Sequence, residues 1–311
     1  MKNNFFTFLL IILVISCETK PSASHSDNEN KNDSLATIPN VPKETENTEY
    51  NFMKGNWVGD FIADKTTGEG EYVHKNKLNL IIQHISTENK VTGFSIVAGN
   101  VRPFEGDIFS TDSTLYVVLN EPGDSKYDGI FNFNIKNTKD LIYGTWTAFN
   151  KNLPAYGRKY ELSKRTFTYN PKLMLPSENQ VEEDMDAYGY VDWYNAKEKK
   201  DKVEGEVYTN TYYRTATEAV YNINASTKLL KEKELKNLKK LDLEIIRNTI
   251  FARHGYTFKK KAVRQFFDWV NWYIPVTDDV SSKLTPIEKK NIALLQRFEK
   301  YATDNYDTFG R

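Results

Sequence analysis

Between Ile245 and Tyr256 the sequence gathers three cationic side chains, Arg247, Arg253 and His254. Arginine forks hold carboxylate or phosphate by two-point hydrogen bonding, and a histidine adds a proton-dependent donor. The three therefore form a candidate anion-binding corner. They also have a structural use: Arg253 and His254 can cap carbonyls at a helix end, and Arg247 can pair with a carboxylate such as Asp268. The rest of the chain offers little other chemistry. Its four histidines, His25, His74, His84 and His254, are scattered without ligand spacing. A single cysteine, Cys17, excludes an internal disulfide and a thiolate metal site. No nucleophile elbow, zinc-binding helix or phosphate loop is present, and Glu69 with Glu71 is too generic a pair to nominate. The acidic run Val181–Asp186 lacks the spacing and glycine of a calcium loop and reads as solvated linker. No catalytic residue, metal or cofactor is expected.

The corner needs helices to hold it. Leu243, Ile246 and Ile250 recur at helical spacing, giving one apolar face. Gly255 directly follows Arg253 and His254, the pattern of a helix stop. Val263 to Trp269 reads as a second helix, and Trp272-Tyr273-Ile274-Pro275 as an aromatic turn. Thr285-Pro286-Ile287-Glu288 opens a third helix with a threonine cap, a first-position proline and a capping-box glutamate. Lys231–Leu238 adds a short leading helix.

Upstream the period changes to 2. Eight candidate strands follow at roughly ten-residue spacing: Asn56–Ile62, Lys77–His84, Val91–Ala98, Phe104–Phe109, Thr114–Asn120, Ile130–Ile135, Leu141–Phe149 and Arg158–Phe167. Short links favour an up-and-down antiparallel barrel. Trp57, Phe94, Tyr116, Phe131, Phe133 and Trp146, together with Tyr143, are candidates for its inner wall, either as a solid core or around a ligand. Gly55-Asn56-Trp57 resembles the Gly-x-Trp that opens lipocalin-type barrels. That resemblance implies a tryptophan at the barrel floor under an arginine of the last strand, here Arg158 or Arg165. The stretches Val207–Arg214 and Ala219–Ile223 suggest a hairpin. The fold class is thus α+β and multidomain: a barrel-like domain at 51–168, a linker with a possible hairpin at 169–225, a helical domain at 226–303 and a tail at 304–311.

The helical region resembles the YARHG domain, a module of bacterial extracytoplasmic proteins. Phe251-Ala252-Arg253-His254-Gly255 stands for the name motif, with Phe in the first place. Arg247-Asn248, Tyr256 and Trp272-Tyr273 fit as well, and the likeness runs from about Leu235 to Tyr301. It implies a small helical domain used at a cell surface or wall, and it brings no catalytic residues.

At the other end, Phe5 to Ile15 is an apolar run too short for a comfortable bilayer span, as in a signal peptide at 1–16. Val14-Ile15-Ser16-Cys17 resembles a bacterial lipobox. That implies cleavage before Cys17 and acylation of its sulfur and amine, with several chains anchoring stably. Glu18, where an aspartate would favour the inner membrane, leans toward the outer membrane. Residues 17–50 are polar and read as a disordered tether.

The 42 basic and 42 acidic residues cancel, so net charge names no partner. Their distribution is uneven: Lys228–Arg311 carries 18 basic against 11 acidic residues, about +7, and Cys17–Thr227 carries 23 against 31, about −8. The basic rear is either a set of ordinary solvated lysines or a surface for an anionic partner. Together these features point to a non-enzymatic lipoprotein of the bacterial cell envelope, joined to membrane by acyl chains on Cys17. Its helical domain would bind peptidoglycan or another anionic polymer; nucleic acid is not expected. A small-molecule carrier using the barrel, or an envelope enzyme, are the alternatives.

Overall fold

The computed structural model describes residues 46–111, 114–135, 140–176, 190–191, 197–203, 206–212 and 214–304. Cys17 and the lipobox lie outside the described residues, as does the acidic run Val181–Asp186.

Eight antiparallel strands close into one barrel: β1 (Gly55–Thr66), β2 (Lys75–Ile85), β3 (Lys90–Val97), β4 (Asn100–Thr111), β5 (Thr114–Asn120), β6 (Gly129–Ile135), β7 (Leu141–Ala148) and β8 (Ala155–Arg165). Each strand pairs with the next, and β8 returns to β1 with Trp57 opposite Lys164. Closure leaves no free edge. The link between β3 and β4 is a tight turn, Ala98-Gly99, with positive φ at both residues, 53° and 83°.

Inward residues alternate along each strand, and they fill the barrel. Leu78, Leu80 and Ile82 meet Val117, Leu119, Phe131 and Phe133 in one cluster. The Phe61 ring packs within 6.1 Å of the rings of Phe131, Trp146 and Tyr160, the offset and edge arrangements aromatic pairs prefer. Trp57, Phe131, Phe133 and Trp146 therefore belong to the packed core of the barrel. Phe94 and Tyr116 do not line the interior. Tyr116 stands between inward Leu115 and Val117 and is 41% exposed, and Tyr143 is likewise exposed. Phe94 lies outside the interior cluster, between buried Gly93 and Ser95. Strand parity, not aromatic character, decides which way each ring points.

A 3-10 turn, Asn51–Met53, closes the floor. The Trp57 indole donates to the Met53 carbonyl at 2.7 Å. The cation over its ring is Lys164, 5.7 Å from the centroid; its ammonium also donates to the Phe52 carbonyl. Neither arginine serves there. Arg158 donates to the carbonyls of Phe61, Val73 and His74, and Arg165 to that of Asn271. The end of the expected tether is also part of the barrel: Glu46 bridges to Ser86, and Tyr50 is buried in the cluster.

The helical domain contains α1 (Ala219–Asn222), α2 (Glu232–Leu235), α3 (Lys240–Arg253), α4 (Lys261–Asp268) and α5 (Pro286–Glu299). The expected second strand at Ala219–Ile223 is helical instead. Asp242 accepts from the Thr217 amide and hydroxyl, which fixes the chain entering α1, and Val220 is buried against the helices. The hairpin lies just upstream, β10 (Lys197–Val203) with β11 (Glu206–Tyr212), and a two-residue pairing joins β9 (Tyr190–Val191) to β12 (Arg214–Thr215). Residues 169–176, placed in a linker by sequence, contribute Leu175 to the helical core. Among the described residues no helix is long and apolar enough to cross a membrane.

Barrel and helices are packed together. The outward side chains of Lys77 and Asn79 on β2 are buried beneath the helical domain. Lys77 Nζ donates to the carbonyls of Val270 and Tyr273 at 2.8 and 3.1 Å, just past the end of α4. Asp268 accepts the Lys77 backbone N–H at 3.1 Å, and Asn79 donates to the Pro275 carbonyl at 2.8 Å.

Candidate functional site

Helix α3 ends as its sequence directs. Gly255 takes φ 73°, and the Tyr256 amide returns to the Phe251 carbonyl at 3.1 Å. Glycine is required here twice over. The conformation is left-handed, and a Cβ would meet Val276 at 2.4 Å and Phe167 at 2.9 Å. The turn aims Arg253 and His254 inward, toward residues 169–174 and the start of α5.

His254 is 3% exposed and its Nε2 lies 2.8 Å from Glu288 Oε2. The Tyr169 ring stacks on the imidazole at 4.2 Å, and its hydroxyl donates to Glu288 Oε1 at 3.1 Å. Glu288 also accepts the Thr285 amide at 2.9 Å, closing the capping box of α5. One carboxylate thus joins the end of α3, the start of α5 and the chain leaving the barrel. Burial pushes the Glu288 carboxyl up. The bonds from His254, the Thr285 amide and Ser226 outweigh that and bring it down to about 2. Burial and the Glu288 charge raise the Tyr169 phenol to about 12.

Arg253 is 2% exposed. Its Nε donates to the Leu173 carbonyl at 2.8 Å, Nη1 to the Ser226 hydroxyl at 3.0 Å, and Nη2 faces the Met174 sulfur at 3.8 Å. Burial lowers this guanidinium to about 10, against the opposing pull of Glu288. Arg247 is elsewhere. It grips Glu299 of α5 with two bonds of 2.5 and 3.1 Å and touches the Asn248 amide oxygen at 3.4 Å. Its expected partner, Asp268, serves the barrel interface. The structure therefore joins Arg253 and His254 through their shared surroundings and leaves Arg247 in a separate ion pair.

Sequence reasoning missed Tyr169, Ser226 and Asn291. Asn291, 1% exposed, donates to the carbonyls of Ala225 and Lys228 and accepts the Leu230 amide. None of the three carries a spacing signal, because each acts on residues 27 or more positions away. Glu288 was visible as a cap but not as the partner of His254. Cations that do face solvent include Lys233, Lys236, Lys260, Lys289 and Lys290. Among the described residues no group of three His, Cys, Asp or Glu side chains could hold a metal ion.

Residues 218–300 match the family model of the YARHG domain. No curated protein and no solved structure matches the chain.

Proposed function

We propose that this chain is a lipid-anchored, non-enzymatic lipoprotein of the bacterial cell envelope, on the outer rather than the inner membrane. Its YARHG domain binds an anionic cell-wall or surface component such as peptidoglycan. The observation that carries the reading is the division of labour among the cations of the helical domain. Arg247 and His254 are committed to internal carboxylates, while the lysine surplus of the rear stands in solvent, where it can attract an anionic polymer. The large apolar cluster that packs inside the barrel supports a spacer or scaffold role for that domain over a small-molecule carrier.

The anchor is tested by Cys17→Ala. The acylated protein partitions into detergent, and the variant is expected in the aqueous phase. A variant still found in detergent would remove the lipoprotein assignment.

Binding is tested with the full chain in detergent, sedimented with isolated sacculi at low and high salt. Exposed charges are screened over roughly 10 Å at 0.1 M ionic strength, so the bound fraction should fall steeply with salt. No binding at low salt would overturn the polymer reading.

A further inference from the structure

Arg253 differs from Arg214, Arg247 and Arg297. Arg247 pairs with Glu299, Arg214 with Glu244 and Asp304, and Arg297 with Glu232. The three acceptors around Arg253 are a carbonyl, a hydroxyl and a thioether, all neutral. Among the described residues no carboxylate lies within ion-pair distance of it, and Glu288 reaches it only through space. A guanidinium keeps its proton under all ordinary conditions, so a full positive charge is buried here with neutral partners, which is costly.

That charge borders a pocket of about 240 Å³ between the end of β8 and the end of α3. A second arginine, Arg165, lines the same pocket from the barrel side. It is exposed, and its Nη1 donates to the Asn271 carbonyl. Asn170 and the hydroxyl-bearing Thr168 add polar groups to the wall, while Phe167 and Trp272 make the rest aromatic. The Trp272 indole N–H is already spent on the Met174 carbonyl at 2.7 Å, so its ring contributes surface and not a donor. No acidic side chain lines the pocket. The carbonyl end of α3 opposes an anion, but a helix end carries only about half a charge, against two whole ones.

We infer that this pocket is an oxyanion site, in which Arg253 and Arg165 receive one phosphate or carboxylate group whose carbon skeleton lies against Phe167 and Trp272. An acidic sugar unit of an envelope polymer has that chemistry. The inference rests on the anion-binding reading above and gives it a defined site, distinct from the diffuse attraction of surface lysines. Entry of an oxyanion supplies the counter-charge that Arg253 lacks and forms charge-assisted hydrogen bonds.

The test is calorimetric titration of the full chain in detergent with inorganic phosphate and, separately, with acetate at matched ionic strength. Arg165→Gln removes an exposed side chain and leaves the fold intact, as an unchanged thermal midpoint will show. Saturable binding of either anion is expected. Loss of a charged hydrogen bond should weaken it about tenfold or more in the variant, while Lys289→Gln leaves it unchanged. The arm that binds more tightly distinguishes a phosphate-bearing from a carboxylate-bearing source. No saturable binding, equal binding by Arg165→Gln, or an equal loss in Lys289→Gln would overturn the site. Sacculi binding that survives Arg165→Gln unchanged would overturn the site and leave the polymer reading. Phosphate or acetate binding without sacculi binding would do the reverse.

Discussion

Replacing Glu288 with Ala is expected to destabilise the protein by about 3–5 kcal/mol, since three buried donors lose their acceptor at about 1–3 kcal/mol each. Glu288 is fully buried, and its oxygens serve His254, Tyr169 and the Thr285 amide. Truncation strands all of these groups at once, and each stranded group loses its hydration without a replacement bond. Glu288→Gln should lose less, because its amide oxygen still accepts one donor. Its NH2 then faces donors in place of acceptors.

The same carboxylate sets an acid limit. Its ordinary value is 4.5 and its folded value is about 2. The unfolded chain therefore takes up a proton first as pH falls. The stability it contributes is complete above about 4.5, and it drains away as pH drops from there toward 2. Urea midpoints from pH 7 down to pH 3 should show a decline in the wild type that is shallower in Glu288→Gln. Equal acid limbs in the two proteins would remove Glu288 from this role.

The parts of the fold legible in the sequence are those written in local period and punctuation. Alternation along Leu78, Leu80 and Ile82 and along Phe131, Phe133 and Ile135 marks strands whose inner faces the structure confirms. Thr285, Pro286 and Glu288 mark the start of α5 to the residue. Gly255 marks the end of α3 with the positive φ its position required. Aromatic character does not override parity: Tyr116 follows inward Leu115, so it must point out. Phe94 was harder, because its inward neighbours Gly93 and Ser95 are too small to advertise a core face.

Long-range partnership was not legible. Lys77 and Asn79 occupy outward positions on β2 and look like solvated strand residues. They are buried only because a domain almost two hundred residues downstream covers them. The choice of Glu299 over Asp268 for Arg247 follows from α5 lying beside α3, which no local pattern announces. Lys164 over Trp57 is a matter of register: β8 sets Lys164 opposite Trp57 and carries Arg165 one step further, toward the helical domain. The pocket beside Arg253 is of the same kind, since Arg165 and Arg253 meet only through the docking of barrel on helices.

The barrel and the helices should therefore separate when Lys77 is replaced by Met. The long stem can still cover apolar surface, but the carbonyls of Val270 and Tyr273 lose their donor and Asp268 loses its nearby cation. A cation belongs at this spot, where the chain leaves the carbonyl end of α4. The expected loss is about 3–5 kcal/mol, and calorimetry should show one transition splitting into two. Adding Asp268→Asn removes the stranded charge and should restore much of the loss.

The pH dependence checks the assignment independently. Burial lowers Lys77 from 10.5 to about 8, against the pull of Asp268. Burial raises Asp268 from 3.8 to about 6, against the pull of Lys77. Between pH 4 and 6 the folded form holds the extra proton on Asp268, so stability falls as pH rises through that window. Between pH 8 and 10.5 the unfolded form holds the extra proton on Lys77, so stability rises again with pH. Lys77→Met abolishes the alkaline rise and leaves the acid fall, whereas Asp268→Asn does the opposite. An alkaline rise that persists in Lys77→Met would mean that another group carries it. The interface would then owe its strength to Asn79 and to the apolar contacts around it.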